Sequence, residues 1–199
     1  NVLTDATYNF ITTVTDKAGN VGSPSASFTV TVDTKEPDKP GNITASDNVP
    51  LYEGTITSGL TNDRTPTLSG VVEPNALVTI YQGSNVLGTV SADAAGKWSY
   101  TVPSIDTDGT YTFHVTATDA AGNVSVNSED LVLRIDGTAP LGIAVLVVTQ
   151  DSAGLIPVVG DNNRPYFSSV ALTDEVGSTV NIYDNGKLIG STTIDAFGA

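Results

Sequence analysis

Apolar and polar residues alternate one by one along much of this chain. In TYTFHVTAT (110–118), Tyr111, Phe113, Val115 and Ala117 alternate with Thr112, His114, Thr116 and Thr118, which sets an apolar row on one face of a strand and a polar row on the other. LVTIY (77–81), VLGTVSA (86–92), KWSYTV (97–102) and LVLRI (131–135) are similar short runs, each bounded by Gly, Asp, Asn or Pro clusters that supply turns. Helical periodicity is not sustained over a useful length. About seven short strands in roughly 100 residues predict an all-β fold, a two-sheet antiparallel sandwich of immunoglobulin type. The expected strands are A at 42–46, B at 66–72, C at 77–82, D at 86–92, E at 97–102, F at 110–118 and G at 127–135. Tyr111, close behind Asp108 and Gly109, stands where such sandwiches place a tyrosine corner, and Tyr8 has the same setting.

The strand pattern repeats. Tyr8, Asp16, Asn20, Asp33 and Pro37 recur 103 residues later as Tyr111, Asp119, Asn123, Asp136 and Pro140, with DKAGNV answering DAAGNV and VDTKEP answering IDGTAP. Pro66, Glu73, Tyr81, Gly88, Asp93 and Gly96 correspond to Pro165, Glu175, Tyr183, Gly190, Asp195 and Gly198 at offsets drifting from 99 to 102. A period near 100 residues is the size of an independent domain rather than of a solenoid turn. The chain is therefore expected to be a linear array: residues 1–36 supply the end (F and G) of one repeat plus a linker, 37–136 a complete repeat, and 137–199 the beginning (A to D) of a third.

Composition narrows the partners. Eight basic against 22 acidic residues leave a net charge of −14, which argues against nucleic acid or an anionic membrane as partner and favours divalent cations. Cysteine is absent, so disulfides supply no rigidity and the compartment stays open on that count. The longest apolar stretch, GIAVLVV at 142–148, is of strand length; no membrane insertion is expected.

The strings TNDRTPTLSGVVEPNALVTIY, VSADAAGKWSYTVP and DGTYTFHVTATDAAGNVS, with the linkers VDTKEP and IDGTAP, resemble the bacterial Ig-like repeats of giant, type I secreted adhesins. The resemblance covers the second repeat and both flanking pieces, and the joint order of the motifs is specific although each alone is weak. It implies a long extracellular stalk on the bacterial cell surface, made of neighbouring Ig-like repeats with Ca2+ around their junctions. Such a stalk, a virulence-type device, holds a distal tip toward the host cell surface.

The residues make a separate case for metal. In an immunoglobulin topology the BC, DE and FG loops lie at the end where the preceding linker arrives. Glu73, Asp93 and Asp119 occupy those loops and Asp33 the linker, so four carboxylates are expected to converge and repel one another unless a cation neutralises them. Ca2+ suits irregular loop oxygens; Zn2+ is disfavoured because there is no cysteine and His114 is the only histidine. Asp136, Glu175 and Asp195 would repeat the arrangement at the next junction, and Asp16 is the FG-loop acid of the first repeat. Turn chemistry alone also explains Asp and Gly in DAAGN. Asn20 and Asn123 are expected to shape the FG turn, and Asp63, Asp106 and Asp108 offer a weaker second site at the opposite pole.

Enzymatic signatures are missing from the pattern. His114 is expected to be an exposed strand residue, no nucleophile elbow or phosphate loop is present, and Trp98 is expected to plug the core rather than stack on a sugar. Two functions remain: a calcium-rigidified structural stalk, and an adhesive or carbohydrate-binding module that contacts a receptor directly. For the incomplete repeats at the two ends, the alternatives are a longer parent protein and intermolecular strand complementation between copies.

Overall fold

The computed structural model describes residues 2–50, 53–139, 146–149, 166–169 and 177–194, and every regular element among them is a β-strand. The chain divides into two compact units, Asn1–Thr138 and Ala139–Ala199.

The first unit opens with an antiparallel pair, β1 (Ala6–Phe10) and β2 (Phe28–Val32). A sandwich follows, made of β3 (Thr44–Asp47), β4 (Gly54–Thr55), β5 (Leu60–Thr61), β6 (Thr67–Val71), β7 (Leu77–Gln82), β8 (Asn85–Ser91), β9 (Lys97–Thr101), β10 (Gly109–Thr118) and β11 (Leu131–Ile135). One sheet has the order β4-β3-β6-β9 and the other β5-β11-β10-β7-β8. The inward rows behave as the alternation predicts. Leu68 from one sheet and Val78, Ile80, Phe113, Val115 and Leu133 from the other are fully buried, with Trp98 at 5% exposure among them. Area removed from water on this scale is the main force holding two sheets face to face.

Two strands differ from the sequence-based expectation. The segment expected as strand D is β8, and it pairs with β7 rather than joining the sheet of β3 and β6. A two-residue connection decides this: Gln82 faces Asn85, and Gly83 takes φ +56°, so the chain folds straight back onto its neighbour. Strand A is split. Its first part, β3, pairs with β6, while β5 crosses to the other sheet and runs parallel to β11.

The tyrosine corners are present in both copies: the Tyr111 hydroxyl donates to the Thr107 carbonyl at 2.8 Å and the Tyr8 hydroxyl to the Thr4 carbonyl at 2.9 Å. Register repeats as well. Ala6 faces Val32 and Phe10 faces Phe28, as Gly109 faces Ile135 and Phe113 faces Leu131. Ahead of β11, Ser128 Oγ accepts the Val115 N–H, and ahead of β2, Ser25 Oγ accepts the Thr12 N–H, both at 3.0 Å. A serine hydroxyl thus stands in for a ladder carbonyl, which explains why regular strand G begins at 131 and not at 127.

In the second unit, β12 (Leu146–Thr149) pairs with β13 (Tyr166–Ser169), and β14 (Thr179–Asp184) with β15 (Lys187–Thr193). The β14–β15 hairpin turns on Asn185-Gly186, both at positive φ, as a tight two-residue turn requires. Its register slips between Ile182 and Tyr183, where the β7–β8 hairpin slips between Ile80 and Tyr81. Glu175 and Asp195 lie outside the described residues.

Candidate functional site

The site is built from one local motif used three times. Asp16, Asp93 and Asp119 each open a turn of the form Asp-x-Ala-Gly-x. In each, the aspartate N–H donates to the carbonyl four residues on, and the glycine N–H donates back to the aspartate carbonyl. One carboxylate oxygen then accepts the N–H groups two and four residues on: Ala18 and Asn20 at 2.8 and 2.9 Å, Ala95 and Lys97 at 2.8 and 2.8 Å, Ala121 and Asn123 at 2.8 and 2.9 Å. The glycines Gly19, Gly96 and Gly122 sit at φ +93°, +78° and +94°, a region that residues with a Cβ avoid. Aspartate is needed because its short carboxylate reaches backbone donors within the same turn.

Asparagine completes two of these turns. The Asn123 side-chain amide donates to Asp119 Oδ2 at 2.9 Å, and Asn20 to Asp16 Oδ2 at 2.8 Å. These amide donors are the foremost reason both carboxyls lie below the ordinary carboxylate value; the backbone N–H groups of the turn add to the effect.

Asn123 also leaves its own turn. The same Nδ2 donates to the main-chain carbonyl of Asp33 at 3.1 Å, tying the β10–β11 loop to the incoming linker. Further along, Glu73 Oε1 accepts the Asp38 N–H at 3.1 Å, the Gly41 N–H reaches the Val71 carbonyl at 3.3 Å, and Lys39 pairs with Glu129. Pro37 and Pro40 are buried, so the linker is also held by apolar contact. Residues 33–41 are therefore fastened at several points to the loop end of the sandwich.

The predicted acids fall into place unequally. Asp33 turns its carboxylate to the Lys35 N–H at 3.1 Å, and it is its carbonyl that meets the β10–β11 loop. The loops of Glu73 and Asp93 touch through the Asn75 N–H and the Asp93 carbonyl at 3.1 Å. Asp136 lies beside Arg134 at 3.5 Å, and its N–H donates to the Thr61 carbonyl. Asp16 remains within its own hairpin. The four segments carrying Asp33, Glu73, Asp93 and Asp119 are joined pairwise, but among the described residues no three acidic or histidine side chains gather as a metal-holding group. Each of these four carboxylates accepts at least one backbone N–H. Sequence reasoning missed the span from Asn123 to the linker, because Asn20 and Asn123 carry the same local signature of a residue that shapes its own turn.

At the opposite pole Asp63, Asp106 and Asp108 have separate partners. Asp63, 1% exposed, accepts the Thr65 N–H and hydroxyl and the Asn48 N–H. Asp106 takes the Ser104 hydroxyl, while Asp108 pairs with Arg64 at 2.7 Å. His114 is not the exposed residue expected. It stacks on Tyr81, ring centroids 4.8 Å apart, because the two face each other across β10 and β7. Trp98 is buried in the core and offers no ring to a sugar.

Residues 53–137 match the model of a family described as bacterial Ig-like domain, and residues 2–33 match a second model of the same description. The likeness is to bacterial Ig-like domains. A biofilm associated protein, BSP domain, is similar over 69% of this chain and 20% of its own, at 21% identity and a TM-score of 0.35. A tetra-tandem repeat in the extending region of a large adhesion protein is similar over 98% of this chain and 47% of its own, at 22% identity and a TM-score of 0.40. The chain thus spans a fifth and about half of these two structures. A search of curated proteins returned no match.

Proposed function

We propose that this chain is a segment of the stalk of a bacterial surface adhesin, in which tandem Ig-like repeats space a distal binding tip toward a host cell surface. The observation that carries the reading is the fastening of linker 33–41 to the loops of the sandwich that follows it, through Asn123, Glu73, Glu129 and Val71. A linker held at several separated points loses the rotations that would let one repeat swing on the next. The role is mechanical and extracellular, and its partners are the neighbouring repeats.

Calcium belongs to the finer form of this proposal. Asp33, Glu73, Asp93 and Asp119 would hold it at the first junction, Asp136, Glu175 and Asp195 at the second, and Asp16 at the equivalent turn of the leading hairpin. These carboxylate and carbonyl oxygens are of the hard kind Ca2+ takes. The fit is partial, because the described acids do not gather in threes and the carboxylates of Asp16, Asp33, Glu73, Asp93 and Asp119 already accept backbone N–H groups. An ion would have to compete with the Asn123 amide and those donors.

The test is calorimetric Ca2+ titration of the chelator-stripped protein, with small-angle scattering and amide exchange at both endpoints. Binding accompanied by extension supports the calcium-rigidified stalk. No binding with a protected linker leaves a stalk held by hydrogen bonds and removes calcium. Free exchange of the 34–41 amides at both endpoints would sink the stalk reading itself.

A further inference from the structure

The linker that leaves the sandwich is held by a different device from the one that arrives. Asp108, just ahead of β10, accepts the Gly137 N–H at 3.0 Å and the Arg64 Nη2–H at 2.7 Å on the same oxygen. Arg64 is itself fixed, since Nη1 donates to the Ile105 carbonyl at 2.9 Å. The guanidinium thereby lies against Gly137: a Cβ built there would fall 2.6 Å from Arg64 Nε and 2.9 Å from Cζ. We propose that Asp108 and Arg64 form a latch that fixes the first residues of the outgoing linker, Gly137 and Thr138, on the start of β10, and that Gly137 is the residue type the anchored Arg64 admits there.

An independent copy supports the carboxylate half. One repeat earlier, Asp5 stands for Asp108 and Thr34 for Gly137. Asp5 Oδ1 accepts the Thr34 N–H at 3.2 Å and the Thr34 hydroxyl at 2.9 Å. An aspartate thus catches the residue just after the strand-G aspartate in both repeats. The arginine half is specific to the second, where glycine replaces threonine and leaves room for the guanidinium. The Asp108 carboxyl lies below its ordinary value, with the Thr138 side chain the largest cause, then the Gly137 N–H and Arg64, as expected of a carboxylate gripped from the linker side. The latch concerns where the linker starts. It depends neither on calcium nor on the adhesin reading.

The experiment is residue-resolved amide exchange on the full chain. Asp108→Ala is expected to speed exchange at Gly137 at least tenfold while amides in the middle of β10 and β11 keep their rates, because opening is local. Gly137→Ala is expected to do the same at the amide of residue 137, after allowing for the intrinsic rates of glycine and alanine, and Arg64→Ala added to Gly137→Ala to bring that rate back to that of Arg64→Ala alone, since the new methyl meets the anchored guanidinium. Unchanged exchange at Gly137 in Asp108→Ala, or a uniform rise over both strands, overturns the latch. Wild-type protection at residue 137 in Gly137→Ala overturns the pairing of Arg64 with Gly137, and that variant keeps the idea testable if Asp108→Ala does not fold.

Discussion

Asp119 bears on two levels at once, because its carboxylate closes a turn and orients the amide that reaches the linker. Its carboxyl, like those of Asp16 and Asp108, sits below the usual value near 3.8. A lowered folded value means that the contribution to stability is fully present above the unfolded carboxylate range and is lost as pH falls through the folded values. Asp119→Asn is therefore expected to be less stable than the parent at neutral pH, with the gap closing as pH is lowered toward 2. Denaturant titrations at a series of pH values check this; a gap that widens on acidification would contradict it. The buried Asp63 contributes differently. Removing its carboxylate with Asp63→Ala leaves the N–H groups of Thr65 and Asn48 without their acceptor, and the expected loss is about 2–4 kcal/mol in a urea melt.

The three Asp-x-Ala-Gly-x turns are nearly identical in hydrogen bonding yet are seated differently in the elements they join. A Cβ on Gly96 would lie 2.1 Å from the Val72 carbonyl oxygen, whereas one on Gly122 would meet nothing within 4 Å. Both glycines have positive φ. Gly122→Ala is expected to cost about 1 kcal/mol, the penalty of the conformation alone. Gly96→Ala adds a backbone collision between the β6–β7 and β8–β9 loops and should cost roughly 3 kcal/mol or more. Comparable losses in the two variants would show that the Val72–Gly96 approach is not tight in solution. The motif as a string carries the conformational part of this difference. The collision exists only because Val72 and Gly96, 24 residues apart, exchange a hydrogen bond at 2.9 Å.

At the level of the molecule, linker 33–41 is expected to resist attack while Asn123 holds it. Lys35 is its one ready tryptic site, since Lys39 precedes Pro40 and pairs with Glu129. Asn123→Ala should speed cleavage after Lys35 several-fold with little change in the melt of the sandwich, because local opening rather than global unfolding then limits the cut. A rate unchanged from the parent would mean that the remaining contacts at Glu73 and Val71 suffice. The repeat itself was visible without coordinates, for Tyr8 and Tyr111 or Asp16 and Asp119 share both their spacing and their geometry. The fastening was not, because an asparagine that shapes its own turn has the same sequence signature as one that reaches 90 residues back to a carbonyl.

Alternation of side chains, turn glycines and a 103-residue echo are local or periodic properties, and they determined the all-β class, the sandwich, the buried rows of Phe113 and Leu68 and the tyrosine corners. Partnership between distant segments is not periodic. Which sheet β8 joins, how β5 crosses over, which backbone donor each junction acid accepts, and how Asp108 comes to hold both Arg64 and the Gly137 N–H were decided by tertiary structure. The physical reason is that a carboxylate or an amide bonds to whichever donor or acceptor the fold brings within about 3 Å, and that distance is set by packing rather than by the order of residues.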